Sequence, residues 1–344
     1  ERAARGERDE AWARYHSGIM SFTRRNFLES AALAASARTL LAEELDKKSG
    51  IPTRVLGKTG ARVTSVAFGC GSRMLSYNED DAQTALNRGM ELGIRYLDTA
   101  YSYGNGKSEE RVGRAIKGKN RKELWIATKI PDRTYDGFMR LFEGSLKRVG
   151  VDQFDLVHIH SLLKADDLAE AEAPNGCLKA LYKIREQKMT RFIGVTSHTD
   201  PETLATALSR HDFDCTQMAL NGALAGMTNG KGGMIMNPDL PTSFEETALP
   251  VALKKKMGVI AMKIFAQERL VGKAKIADLI RYSLSLPVGA AVLGMPKFEY
   301  IDENVAVAKA FAKMSKPEMK DMSGKLSKQY KASLDRFFEN HVDA

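Results

Sequence analysis

Asp98-Thr-Ala-Tyr-Ser-Tyr103-Gly104 continues a short apolar run that begins at Tyr96, and it places a carboxylate and two phenols at the end of that run. Two later apolar runs end similarly, the first at Lys129 and the next at His160. Parallel strands of a closed barrel bring their carboxyl ends to one face. The sequence therefore predicts that Asp98, Tyr103, Lys129 and His160 meet in one proton-handling site.

Apolar runs alternate with longer amphipathic segments from about residue 53, which is the pattern of βα units around a parallel sheet. The predicted strands are Val63–Gly69, Tyr96–Ala100, Leu124–Lys129, Phe154–His160, Arg191–Ser197, Cys215–Asn221, Gly258–Lys263 and Ala290–Met295. The predicted helices are Asp80–Leu92, Ser108–Lys117, Gly137–Val149, Ala169–Gln187, Pro201–Arg210, Phe244–Lys256, Ile276–Leu286 and Tyr300–Ala312. Eight such units predict an α/β fold, a single-domain (β/α)8 TIM barrel over residues 53–315 with a helical tail at 316–344.

A doubly wound open sheet is the competing fold. That fold requires a G-x-G-x-x-G turn after its first strand, followed by an acidic residue about twenty positions later. Gly69-Cys70-Gly71 lacks the third glycine, so the barrel is favoured.

The composition excludes several classes of protein. A chain of 344 residues with 43% hydrophobic and 28% charged residues can bury a sizeable core, unlike a disordered or fibrous protein. The net charge is +9, but acidic and basic residues are interleaved, so no nucleic-acid partner is predicted. An anionic cofactor or substrate suits this charge equally well. No run of about eighteen apolar residues occurs, so no transmembrane segment is predicted.

The three cysteines do not form a recognisable framework. Cys70, Cys177 and Cys215 are far apart and lack the spacing of zinc or iron–sulfur ligands. Neither a metal site nor a disulfide is predicted.

The first forty residues resemble an export signal. Thr23-Arg24-Arg25-Asn26-Phe27-Leu28 is a twin-arginine pattern, and the alanine-rich stretch after it ends in the cleavage-like triplet Ala35-Ser36-Ala37. We therefore expect a Tat signal at residues 20–37, upstream or cloning-derived sequence at 1–19, the Tat export machinery as a partner, and a bacterial periplasmic or exported location. The alternative is an amphipathic helix in a cytoplasmic protein. Tat substrates cross folded, so we expect the cofactor to travel with the protein; periplasmic protein purified without nucleotide would contradict this.

The four polar residues suit catalysis by a tyrosine. A phenol has a pKa of about 10, so it needs neighbours that ease proton transfer near neutral pH. Lys129 can stabilise the phenolate of Tyr103, Asp98 can hold Lys129, and His160 can orient a carbonyl oxygen. Each residue alone has a structural explanation, such as a helix cap for Asp98, but four at strand ends favour a site.

The chain resembles the aldo/keto reductase family. The similar segments occur in order and are Arg54-Val-Leu-Gly-Lys-Thr-Gly60, Asp98-Thr-Ala-Tyr-Ser-Tyr-Gly104, Ser108-Glu109-Glu110, Ala127-Thr-Lys129, Asp155-Leu-Val-His-Ile-His160, Phe192-Ile-Gly-Val-Thr-Ser197 and Gly294-Met-Pro-Lys297 through Glu303-Asn304. The resemblance implies that Tyr103 is the general acid/base, that Lys129 and Asp98 tune it, and that His160, not His158, orients the carbonyl.

The resemblance also implies NADP(H) as the cofactor, bound across the barrel mouth, with NAD(H) as the alternative. It implies that Thr196, Ser197 and Gln217 bind the nicotinamide carboxamide. It also implies that Gly71 and Ser72 lie near the adjoining ribose. The remaining cofactor contacts that it implies are Met262 at the nicotinamide ring, Phe265 through Gly272 at the pyrophosphate, Gly294, Lys297 as the candidate for the 2′-phosphate, and Glu303 and Asn304 at the adenine.

Two departures from the family pattern concern the cofactor. Met262 stands where an aromatic residue often stacks on the nicotinamide, so thioether packing replaces ring stacking. Lys297 is the one basic candidate for gripping a 2′-phosphate in Met295-Pro296-Lys297.

The predicted function is interconversion of a small aldehyde or ketone and its alcohol by hydride transfer. The alternative is a non-catalytic or redox-sensing nucleotide-binding subunit with the same barrel. The long segment Gly222–Thr242 follows the sixth predicted strand, and we expect either a substrate lid or a surface excursion there.

Overall fold

Eight parallel strands close into a barrel in the computed structural model, which describes residues 43–230, 233–237, 240 and 242–338. The strands in chain order are β1 (Glu44–Leu45), β2 (Pro52–Val55), β3 (Arg62–Thr64), β4 (Val66–Gly69), β5 (Tyr96–Asp98), β6 (Trp125–Ile130), β7 (Phe154–Ile159), β8 (Thr190–Ser197), β9 (Cys215–Ala219), β10 (Gly226–Gly230), β11 (Gly233–Asn237), β12 (Gly258–Met262) and β13 (Ala290–Gly294). The barrel order is β4 to β9, then β12 and β13, which pairs back onto β4. The predicted (β/α)8 fold is confirmed.

Helices follow the barrel strands and cover their outer faces. They are α1 (Ser72–Leu75), α2 (Glu79–Glu91), α3 (Lys107–Ile116), α4 (Tyr135–Val149), α5 (Ala165–Glu172), α6 (Cys177–Glu186), α7 (Pro201–Arg210), α8 (Ala248–Lys254), α9 (Ile276–Ser285), α10 (Phe298–Lys309) and α11 (Lys316–Phe338), with 3₁₀ turns at Gly57–Thr59 and Arg121–Glu123. Side-chain caps define the first residues of several helices. At the start of α4 the Thr134 hydroxyl accepts a hydrogen bond from Gly137 N, and at the start of α7 the Asp200 carboxylate accepts one from Thr203 N, directly before Pro201. No helix of the described segments is both long and apolar enough to cross a membrane.

Two cores lie on opposite sides of the barrel wall because successive strand residues point to opposite faces. The outer core joins the strands to the helices and contains Phe68, Leu97 and Val157. The inner core fills the lower barrel and contains Tyr96, Leu156 and Ile260, together with Leu56 from the turn between β2 and β3. Leu56 is fully buried and packs against Gly258 and Gly289, so it closes the end of the barrel where the strands begin.

The predicted strand Val63–Gly69 is wrong as one element. The chain changes sheets at Ser65, whose N–H donates to Pro52 O at 2.8 Å. β3 therefore pairs with β2 in a small antiparallel sheet, and only β4 enters the barrel. Val63, Thr64 and all of β4 are buried, so the two pieces resemble one short buried strand in the sequence.

The predicted helix Ala169–Gln187 is two helices, α5 and α6. Pro174 lacks an N–H and disfavours the helical conformation at Ala173, so α5 ends at Glu172 and α6 begins at Cys177. Gly176 lies so close to Ala171 O that a Cβ atom there would stand 2.3 Å from it.

The described parts of the segment Gly222–Thr242 include an antiparallel ribbon formed by β10 and β11. Met227 N on this ribbon donates to His198 O at 2.5 Å, which ties the ribbon to the loop after β8. The tail helix α11 packs on the start of the same segment, where Leu326 lies against Gly222 and is buried. The predicted upstream sequence at residues 1–19 and the export signal at 20–37 lie outside the described residues, so both stay predictions.

Candidate active site

The site begins with the alternation of side chains along the barrel strands. Tyr96 and Ala127 point into the lower barrel, so Asp98 and Lys129, two residues further along, point into the barrel one layer higher. Asp98 is the last residue of β5 and pairs with Ala127 of β6, two residues before Lys129. Strand geometry thus brings the carboxylate and the ammonium group together inside the barrel mouth.

Lys129 lies at the centre of the predicted group. Its Nζ donates to Asp98 Oδ1 at 2.6 Å, to Thr99 O at 2.8 Å and to Tyr103 OH at 3.4 Å. The Lys129 and Asp98 side chains are 1% and 2% exposed, so water does not screen this ion pair. The loop after β5 returns Tyr103 over the pair, and the lysine Nζ lies 5.0 Å from the centre of the Tyr103 ring.

His160 completes the group from the end of β7. Its ring meets the Tyr103 ring edge-on, with centroids 5.6 Å apart, and its Nδ1 lies 3.2 Å from Ser102 Oγ. His158 pairs with Lys129 in the β6–β7 register and stands one layer lower, fully buried, with neither ring nitrogen bonded. The structure therefore places His160 at the mouth and His158 within the barrel wall.

The surroundings shift the pKa values of these groups in different directions. Burial raises the pKa of Tyr103, the charge of Lys129 opposes that rise, and the charge of Asp98 adds to it. Burial would lower the pKa of Lys129, but Asp98 and then Tyr103 outweigh burial and raise it. Burial, with the charge of Lys129 nearby, holds the pKa of His160 well below its usual value. Near neutral pH the site contains a protonated phenol, an ammonium–carboxylate pair and a neutral imidazole.

A cavity of about 680 Å³ opens above these groups at the carboxyl ends of the strands. Asp98, Tyr103, Lys129 and His160 all line it. Seven of the predicted cofactor residues line it too, namely Gly71, Ser72, Thr196, Gln217, Met262, Phe265 and Gly294. Gly71 packs against the ring of Tyr103, since a Cβ atom on this glycine would lie 3.4 Å from Tyr103 Cζ.

Five predicted cofactor residues do not line this cavity. Ser197 points to the outer side of the barrel wall, where its hydroxyl donates to Leu162 O at 2.7 Å. Lys297 is exposed just before α10, with its Nζ 5.8 Å from the centre of the Tyr300 ring. On α10 itself, Asn304 is buried and Glu303 is exposed. Gly272 is exposed with φ +82°.

Several charged or titratable residues of the cavity were missed by the sequence reasoning, namely Arg73, Arg133, Asp167, His198 and Lys263. Arg73, His198 and Lys263 each follow a residue that was predicted to bind cofactor, so their position at a strand end was the available signal. Arg73 Nε pairs with Glu268 Oε1 at 3.0 Å and joins the loops after β4 and β12. Burial lowers the pKa of His198 to about 3, with Lys263 and then Lys129 adding to the effect.

The turn after β12 has an uncommon backbone. Lys263, Ala266, Gln267 and Glu268 all have positive φ, between 45° and 69°, which non-glycine residues seldom adopt. Such conformations cost free energy and persist where the surrounding structure holds them, often at binding sites. This turn forms one side of the cavity.

The arrangement can transfer a proton to or from a ligand oxygen. Tyr103 is placed to supply the proton, Lys129 is close enough to stabilise a phenolate there, and Asp98 is the ion-pair partner of Lys129 inside the barrel. His160 is neutral and can donate one hydrogen bond to the same oxygen.

Comparison with known proteins identifies the family. A family model described as the aldo/keto reductase family matches residues 66–278. L-galactose dehydrogenase of Arabidopsis thaliana is 26% identical over 285 residues, which are 74% of this chain and 88% of that protein.

Two solved structures share the fold. The holo form of an aldo-keto reductase from Bacillus halodurans aligns with a TM-score of 0.64 at 20% identity, covering 80% of this chain and 96% of that one. An aldo-keto reductase from Klebsiella pneumoniae in complex with NADPH aligns with a TM-score of 0.61 at 20% identity, covering 79% and 94%. Since the family model spans more than half of the residues, the chain belongs to the aldo/keto reductase family of oxidoreductases.

Proposed function

We propose that the protein is an NADP(H)-dependent oxidoreductase that interconverts a small aldehyde or ketone and its alcohol, with Tyr103 as the general acid/base. The observation that carries the proposal is the position of Lys129 Nζ, between Asp98 Oδ1 at 2.6 Å and Tyr103 OH at 3.4 Å, beneath an open cavity. A purely structural ion pair has no need of a phenol at the cavity wall.

Tyr103 moves the proton in this scheme. During reduction the phenol donates its proton to the carbonyl oxygen, and during oxidation the phenolate takes the proton from the alcohol. The ammonium group of Lys129 stabilises the phenolate more than the phenol, because only the phenolate is charged. Asp98 holds Lys129 in place and compensates its charge in a site that water does not reach.

His160 orients the carbonyl compound. Because its pKa is held well below the usual value, the ring is neutral and has one N–H to donate. Its edge-on contact with the Tyr103 ring puts the imidazole and the phenol on the same side of the cavity. A carbonyl oxygen between them can accept a hydrogen bond from each.

The residues present fit a nicotinamide cofactor. Gln217 lines the cavity, and its buried Oε1 accepts no hydrogen bond among the described residues, which suits the NH₂ group of a carboxamide. Gly71 and Ser72 would hold the adjoining ribose, and Met262 would pack on the ring. NADP(H) would supply or accept the hydride when bound. The Klebsiella pneumoniae structure with NADPH supports the choice of NADP(H).

Replacing Tyr103 by Phe tests the proposal. We expect kcat to fall by about 10²- to 10⁴-fold, because the substitution removes the acid/base group and leaves the ring in place. The dissociation constant for NADP⁺, measured by fluorescence titration, should stay nearly unchanged.

Tyr101→Phe is the matched control. Tyr101 lies in the same loop, but its ring packs against the Arg148 guanidinium at 5.0 Å, and it reaches Lys129 through its backbone N–H, which the substitution keeps. This variant should keep its turnover of aldehydes and ketones. Full activity in Tyr103→Phe would exclude Tyr103 as the proton donor.

A further inference from the structure

One guanidinium group holds the turn that follows His160. Arg133 lies in the loop between β6 and α4, and its Nη2 donates to His160 O at 2.9 Å and to Ser161 O at 3.1 Å. Its Nη1 donates to Pro131 O at 2.9 Å. Arg133 thus links the residue that follows β6 to the two residues that follow β7.

Asp167 on α5 holds this guanidinium from the other side. Arg133 Nε donates to Asp167 Oδ1, and Arg133 Nη2 donates to Asp167 Oδ2 at 2.9 Å. Asp167 Oδ2 also accepts a hydrogen bond from Leu163 N at 2.8 Å. The side chains of Arg133 and Asp167 are 12% and 13% exposed, so water screens this ion pair little. A bidentate pair fixes the plane of the guanidinium as well as its position.

The turn that Arg133 holds has a strained backbone. Ser161 has φ +54°, a left-handed conformation that residues other than glycine seldom adopt. The carbonyl groups of His160 and Ser161 belong to the two peptide units on either side of the Ser161 Cα, so the guanidinium binds both of them. Such a conformation costs free energy and persists where the surrounding structure holds it. The hydrogen bonds from Arg133, and one from Ser161 N to Thr196 Oγ1 at 2.8 Å, hold it here.

Arg133 is poorly placed to bind a ligand anion, although it lines the cavity. All three of its guanidinium nitrogens already donate within the protein, and Asp167 balances its charge. These contacts favour a role inside the protein, at the residue whose carbonyl group the guanidinium binds.

We infer that Arg133 is a positioning residue for His160. Its guanidinium, held by Asp167, fixes the left-handed turn at Ser161. This turn aims the imidazole at the side of the cavity where Tyr103 lies, with the two rings edge-on and their centroids 5.6 Å apart. This role rests on the proposed function, in which His160 orients the carbonyl compound. Without the guanidinium, Ser161 relaxes to a right-handed or extended backbone, which rotates the peptide of His160 and moves its ring.

The first experiment measures steady-state reduction of benzaldehyde by NADPH in the full chain and in its Arg133→Met and Arg133→Lys variants. We expect kcat to fall by about 10- to 100-fold in both, because a small displacement of an orienting group slows the reaction strongly. Lysine keeps the charge but cannot bind two carbonyl oxygens and a carboxylate in one plane, so it should not restore the rate. The dissociation constant for NADP⁺, measured by fluorescence titration, should stay unchanged.

Arg121 is the matched control, at the opposite end of the same strands. It lies just before β6, donates to Leu124 O at 2.9 Å and to Gln153 O at 3.0 Å, and pairs with Asp155 at 2.7 Å. Arg121→Met therefore removes two carbonyl contacts and an ion pair, as Arg133→Met does, but far from His160. This variant should be less stable to urea and should keep the wild-type kcat.

The second experiment separates positioning from a general loss of structure. Arg133→Met is combined with His160→Ala, and kcat is compared among the wild type, the two single variants and the double variant. The benzyl alcohol formed is measured by chromatography, so that slow variants stay measurable. If Arg133 acts through His160, its replacement changes kcat by less than about twofold once the imidazole is gone. A merely structural role would lower kcat by the same factor in both backgrounds.

Equal factors in the two backgrounds would overturn the inference. So would a wild-type kcat in Arg133→Met, with the native fold shown by circular dichroism. A wild-type protein that binds no NADP⁺ and reduces no benzaldehyde, or a His160→Ala variant with full kcat, would instead overturn the proposed function, and this inference with it.

Discussion

At the scale of single residues, we expect Ser102 to set which nitrogen of His160 carries the proton. Ser102 Oγ lies 3.2 Å from Nδ1, and a hydroxyl that donates there leaves the proton on Nε2, ready for a carbonyl oxygen. We expect Ser102→Ala to lower kcat about tenfold with unchanged NADP⁺ affinity, while Ser102→Thr keeps the hydroxyl and the rate. Nitrogen-15 chemical shifts of the imidazole report the tautomer directly. Identical shifts in the alanine variant and the wild type would contradict this role.

At the scale of elements, the close contact of β7 with β8 depends on a glycine. A Cβ atom on Gly194 would stand 2.5 Å from His158 Nδ1 and 2.6 Å from Cys215 O, and the barrel wall cannot yield easily. Gly194→Ala should lower the free energy of unfolding by about 1–3 kcal/mol in urea denaturation. Gly324→Ala on α11, where nothing lies within 4 Å, should raise it by about 0.5–1 kcal/mol. Equal stabilities of the two variants would refute the argument.

The elements were the most predictable part of the molecule. A barrel strand is buried on both faces, so it forms a short apolar run that stands out in the sequence, as at Tyr96–Asp98 and Phe154–Ile159. The break at Ser65 was not predictable, because buried residues stand directly on both sides of it. The alternation that brings Asp98 beside Lys129 also follows from sequence, whereas the pairing of Arg73 with Glu268 does not. Such pairing depends on which loops face each other across the mouth.

At the scale of the whole molecule, buried neutral histidines make stability depend on pH. Burial, helped by Lys129, lowers the pKa of His158, and burial with Lys263 and Lys129 lowers that of His198 to about 3. In the unfolded chain both titrate near 6.5, so unfolding takes up protons below that pH and stability falls towards acid. We expect about 1.4 kcal/mol per pH unit from each ring below pH 6. Denaturation from pH 5.5 to 7.5 should show a shallower dependence in His158→Gln, and parallel curves would contradict the assignment.

Leu56 closes the lower end of the barrel with a side chain that comes from outside it. Ligands therefore exchange at the mouth, where the nucleotide would lie over Gln217 and the carbonyl compound would come to rest above it. Because the carbonyl compound would lie above the nucleotide, the nucleotide must bind first. The product of the carbonyl compound must then leave before the nucleotide does. We therefore expect a compulsory-order mechanism in which the nucleotide binds first. Product-inhibition kinetics test this order, because only NADP⁺ and NADPH should then inhibit competitively against each other. By closing the lower end of the barrel, Leu56 thus helps to set the order in which ligands bind at the mouth.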